Sequence, residues 1–84
     1  MAKMHDNQLD IQIGQRIKRA RVEAAITQQE LGKILGRSSQ QVHKYEQGSN
    51  RVSAGTLFTI ARALDRSVEW FFGGVDAEHP YKLN

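Results

Sequence analysis

The sequence predicts an all-α fold, a compact five-helix domain with a helix-turn-helix near its centre. Three observations predict it. Apolar residues recur at helical spacing in successive segments, and no stretch alternates apolar and polar as a half-buried strand does. Several of these segments open on Ser or Thr and close on Gly, the residues that start and stop helices. Thr27 to Gly48, TQQELGKILGRSSQQVHKYEQG, reads as two short helices joined by a glycine turn.

Residues 1–9 show no periodicity and are expected to form a loose tail. The spacing predicts a first helix from Asp10 to Ala24, with Ile13, Ile17, Ala20 and Ala24 on one face. Thr27-Gln28-Gln29-Glu30 has the form of a capping box, in which Thr27 and Glu30 satisfy each other's backbone N–H. Leu31, Ile34 and Leu35 follow at i, i+3, i+4 and form the buried stripe expected of the second helix. Gly36 stands where the chain must turn with positive φ. Ser38 to Gln41 reads as a second capping box, so a third helix over about 39–47 follows almost at once. Its inward side carries Val42, Tyr45 and Glu46; Gln40, His43, Lys44 and Gln47 point outward. Ser53 caps a fourth helix through Leu64, on which Leu57, Ile60, Ala61 and Leu64 repeat at helical spacing. Ser67 caps a short fifth helix, Val68 to Phe72, stopped by Gly73-Gly74. The expected organisation is a tail over 1–9, one helix-turn-helix domain over 10–73 and an irregular C-terminal tail over 74–84.

With 84 residues the chain forms one small domain, whose thin stability margin dimerisation would widen. It has no cysteine, hence no disulfide and no thiolate metal site, which suits a reducing cytoplasm. No apolar run approaches a membrane span, and MAKMHDNQLD lacks the apolar centre of a signal peptide. Net charge is +3, unevenly spread: residues 11–66 hold ten basic and four acidic side chains, +6, against −1 over 1–10 and −2 over 67–84. A basic body suits a polyanion bound on one face, although charge alone does not separate that from a merely solubilising surface.

The ordered set GQRIKRAR, TQQELG, VHKYEQG and LFTIARALDRSVEWFFGG resembles the Cro/repressor-type helix-turn-helix proteins (the XRE family), which include the lambdoid phage repressors. The match runs from about Ile11 to Gly73. The resemblance implies a lambda-repressor-like DNA-binding domain and pairs Arg21 with Glu46 in a salt bridge between helices one and three. It also places Gln28 on the DNA backbone at the start of helix two, where the helix end favours an anion. Gln47 departs from the family, where Asn often stands before the glycine. Gly32 falls where the family favours a small residue because helices two and three approach closely.

Ser38, Ser39, Gln40 and Lys44 are the candidate base-reading residues, on the part of a recognition helix that enters the major groove. Gln40 has the groups to meet adenine, Lys44 those to meet guanine, and the serines adapt to either. Gln28, Arg37, Gln47 and Arg51 are the phosphate candidates; His43 stays outside both sets. Trp70 falls on the opposite side of its helix from Val68, Phe71 and Phe72, so it meets either a partner subunit or the core. Nothing in the chain supports catalysis, and His5, His43 and His79 are too scattered for a metal site. No cofactor and no small-molecule ligand is expected. The expected function is a sequence-specific regulator of double-stranded DNA, a cytoplasmic repressor binding a palindromic operator as a homodimer. The competing expectation is an antitoxin-like module that binds DNA secondarily.

Overall fold

Thr27, Ser38, Ser53 and Ser67 each hold an extended backbone, and each side-chain oxygen accepts an N–H three residues ahead. Among the described residues these caps punctuate four α-helices, α1 Asn7–Glu23, α2 Gln28–Leu35, α3 Ser39–Gln47 and α4 Ala54–Ala63, followed by a 3-10 turn over Val68–Phe72. The structure, a computed structural model, describes residues 7–73. The tails expected over 1–6 and 74–84 lie outside the described residues.

The fifth helix is corrected to a 3-10 turn. Five residues between the Ser67 cap and Gly73 leave room for little more than i→i+3 bonds, as in Trp70 N–H to the Ser67 carbonyl at 3.1 Å. α1 opens at Asn7 rather than Asp10, and Leu9 packs against the core. Ala24 is exposed because α1 has already ended at Glu23. Thr27 and Glu30 do form the reciprocal box, at 3.0 and 2.8 Å. Ser38 instead caps in one direction, its hydroxyl accepting from Gln41 N–H at 3.1 Å. Ile34 is 52% exposed, not part of the buried stripe. At about 100° per residue, Leu31, Gly32 and Leu35 span one arc of α2 and Ile34 lies beyond its edge. A side chain on Gly32 would meet the Arg37 carbonyl at 2.6 Å, so that arc packs against the α2–α3 turn.

All four helices end in the same hydrogen-bond pattern. The residue in the left-handed region donates to the carbonyl three residues back, and the next donates five back: Ile26 N–H to the Arg21 carbonyl at 3.2 Å, Arg37 to Gly32 at 2.8 Å, Ser49 to Lys44 at 3.1 Å and Arg66 to Ala61 at 2.9 Å. Glycine fills the left-handed position at Gly36 and Gly48, but Ala25 and Asp65 fill it after α1 and α4, at φ 61° and 59°. The core they enclose centres on Ile17, Leu31, Val42, Ile60 and Phe71, all fully buried, with Ile13, Ala20, Leu57, Ala61 and Leu64 around them. α3 lies across α1 and α2, leaving its other side to solvent.

Candidate nucleic-acid interface

Glu46 sits on the inward side of α3 with its side chain 3% exposed, where an unpaired carboxylate would be costly. Arg21 meets it at two points, Nε to Oε2 at 2.6 Å and Nη2 to Oε1 at 3.3 Å. The remaining Arg21 Nη1 donates to the Ile26 carbonyl at 2.8 Å, in the turn after α1. Gln28, the first residue of α2, donates from Nε2 to Glu46 Oε1 at 2.9 Å. One carboxylate thus ties α3 to α1, and to the start of α2.

A second constraint is steric. A Cβ on Gly14, in the middle of α1, would collide with the Tyr45 carbonyl oxygen and lie 2.6 Å from that of Glu46. One on Gly48 would lie 2.7 Å from Ile11 Cα. The backbones of α1 and α3 therefore touch along Ile11 to Gly14, and the pose of α3 depends on those glycines. Gly14 was legible in principle, as a glycine within a helical pattern signals close approach.

With its inner side fixed, α3 presents Gln40, His43, Lys44 and Gln47 as exposed side chains, with Ser39 partly covered. Ser38 stands at the helix start, its oxygen occupied by the cap and its hydroxyl proton still available to donate. The base-reading candidates therefore share one face. The phosphate candidates are more dispersed. Gln28 borders that face, but its Nε2 serves Glu46 and also lies 3.3 Å from His43 Nδ1. Its backbone N–H, in the first turn of α2, is among those a helix leaves for other acceptors. Arg37 is exposed and leans on the Leu35 carbonyl at 3.4 Å. Gln47 is exposed at the end of α3. Arg51 lies 3.3 Å from Asp10 at the start of α1; its own side chain is 62% exposed, that of Asp10 13%.

Trp70 stands apart from this face. The 3-10 turn packs chiefly on α1 and α4, and the guanidinium carbons of Arg16 and Arg66 each lie 4.5 Å from the indole centre. Trp70 is half-buried and meets Phe71 edge-on at 5.0 Å, so much of the cost of wetting the ring is removed within the chain. Arg66 also pairs with Glu23, which Arg19 reaches at 3.3 Å. The Arg19 guanidinium, reinforced by Arg66, holds the Glu23 carboxyl below its ordinary range. This cluster is solvent-facing and carries no catalytic geometry.

A helix-turn-helix family model matches residues 17–71. A transcriptional regulator in the ATPase CF(0) region of Rhodospirillum rubrum is 38% identical over 72 residues, covering 86% of this chain and 67% of that protein. A helix-turn-helix-type regulator of Rickettsia prowazekii is 40% identical over 68 residues, 81% of this chain and 52% of that protein. The chain spans about half the length of several such relatives. Among solved structures, the P22 c2 repressor in complex with a synthetic operator superposes with TM-score 0.66 at 27% identity, covering 70% of this chain and 89% of that one. The restriction-modification controller protein C.AhdI of Aeromonas hydrophila gives 0.74 at 28% identity, covering 81% of this chain and all of that one. On this match and on the geometry above, the chain belongs to the Cro/repressor-type (XRE) helix-turn-helix family of DNA-binding transcriptional regulators.

Proposed function

We propose that the chain is a sequence-specific repressor that acts in the cytoplasm and binds a palindromic operator as a homodimer, with α3 in the major groove of each half-site. The observation that carries this reading is the contrast between the two sides of α3. Its inner side is anchored by a buried carboxylate to α1 and α2, and its outer side is a row of exposed amide, ammonium and imidazole groups. Such an arrangement costs little reorganisation on binding and presents hydrogen-bonding groups to base edges.

Ser38, Ser39, Gln40 and Lys44 then read bases; the α2 N-terminus at Gln28, Arg37, Gln47 and Arg51 hold phosphates. One α3 covers only one half-site, so two copies bind half-sites about one helical turn apart, roughly 34 Å. The surface around Trp70 is the proposed contact, the same patch on both subunits.

Selection from a pool of random duplexes, read by sequencing, tests the proposal. The expected result is one enriched motif, an inverted repeat with half-sites one turn apart. A pool that stays random after repeated selection contradicts it.

A further inference from the structure

Resting on that reading of α3, we propose that His43 is a further base-reading residue, held in one tautomer by Gln28 so that it presents a fixed donor to an acceptor on a base edge.

The chain of constraint begins in the buried network. The Glu46 carboxylate, paired with Arg21, can only accept hydrogen bonds. The edge of the Gln28 amide that faces it must therefore be the NH₂ group, which fixes the orientation of the amide. That same Nε2 lies 3.3 Å from His43 Nδ1. An amide nitrogen cannot accept, so Nδ1 must, and the imidazole proton resides on Nε2. The two protons of Gln28 are thus divided between Glu46 and His43.

Ring geometry does the rest. Nδ1 turned towards Gln28 sends Nε2 away from it, and the exposed His43 side chain lies on the outer face of α3. His43 follows Gln40 by three residues and precedes Gln47 by four, so all three share one stripe of the helix. A neutral histidine there offers one oriented N–H, the partner for guanine N7 or O6, adenine N7 or thymine O4. Arg21, Glu46 and Gln28 act on the DNA through it; Gln28 is a positioning residue in this respect.

The test uses the full chain and the duplex selected by the parent from a random pool. Binding of that duplex and of each of its single base-pair substitutions is measured for the parent, His43→Ala, Gln28→Met and the double variant. For the parent, the base pair read by His43 is preferred over its alternatives by roughly 5- to 150-fold. In His43→Ala that preference collapses towards unity at one position in each half-site, while the preferences at other positions keep their ratios. Gln28→Met lowers the preference at the same position, and the double variant lowers it no further than His43→Ala. Nitrogen-15 shifts of labelled histidine, assigned by comparison with His43→Ala, show a protonated Nε2 and an unprotonated Nδ1 in the neutral ring before DNA is added.

A His43→Ala profile with every ratio preserved, whether affinity falls uniformly or not at all, overturns the proposal, as does protonation on Nδ1. Survival of the preference in Gln28→Met removes the positioning step. If the parent enriches no motif, the DNA-binding reading itself has failed; a parent motif untouched by His43→Ala fails the His43 inference alone.

Discussion

Arg21 and Glu46 show how far single residues are legible. An arginine and a glutamate on inward faces demand pairing, and the family resemblance named the partner. Their side chains are 11% and 3% exposed, so Glu46→Ala leaves both Arg21 and the Gln28 amide without their shared acceptor. Breaking a buried pair costs about 3–5 kcal/mol. At about 4–8 °C per kcal/mol for a domain of this size, the melting temperature falls by more than about 10 °C. A fall of a degree or two in a thermal melt contradicts that. The engagement of Gln28 is not legible in the sequence, because it depends on where the first turn of α2 falls beside the last turn of α3, 18 residues further along the chain but adjacent in space. Arg51 was read from its charge and position; its contact with Asp10 is a tertiary fact. Arg51→Ala is expected to weaken binding to all duplexes alike. The log–log dependence of affinity on salt becomes about one unit shallower, since one fewer phosphate is neutralised. An unaltered slope in a salt titration removes Arg51 from the phosphate set.

At the scale of elements, the helix starts marked by a Ser or Thr cap are legible, whereas the start of α1, three residues before the expected Asp10, and two of the helix ends are not. Thr27, Ser38, Ser53 and Ser67 announce themselves by chemistry, and Gly36 and Gly48 mark two ends because glycine enters the left-handed region without cost. The same turn after α1 is made by Ala25 at φ 61°, where no residue type signals it. A left-handed non-glycine residue carries roughly 1–2 kcal/mol of strain, part of which glycine returns as unfolded-chain entropy. Ala25→Gly is therefore expected to stabilise the domain by about 0.5–1 kcal/mol in denaturant unfolding, and a loss of stability contradicts this. The short 3-10 turn differs from the expected fifth helix because apolar spacing over five residues cannot distinguish i→i+3 from i→i+4 bonding. Gly14 is the element-level determinant of the site. Alanine there gains about 1 kcal/mol of helix propensity but drives a methyl into the α3 backbone, which costs roughly 1–3 kcal/mol, for a net cost of about 0–2 kcal/mol. Because the clash is relieved by moving α3, Gly14→Ala is expected to reduce affinity for the selected duplex at temperatures where the variant is still folded. Unchanged affinity in a titration shows that α3 keeps its pose.

For the molecule as a whole, the all-α class, the helix-turn-helix and most of the core follow from periodicity, whereas quaternary structure does not, since it depends on a surface and not on a pattern. Trp70 illustrates this. Its ring is shared with Arg16 and Arg66, so a glutamate in its place would find two cations within the same chain. Trp70→Glu thus separates two roles. A purely intramolecular Trp70 leaves cooperative binding to both half-sites intact, whereas the proposed subunit contact predicts its loss with half-site binding retained. Sedimentation and gel-shift titration read the difference. The central claim, however, is that α3 enters the groove with its inner side anchored to α1 and α2. Amide chemical-shift mapping during titration with the selected duplex tests it most directly. The account predicts the largest perturbations over Ser38–Gln47 and at the first turn of α2 around Gln28. Perturbations concentrated instead at Arg16, Arg66 and Trp70, with α3 undisturbed, would contradict it.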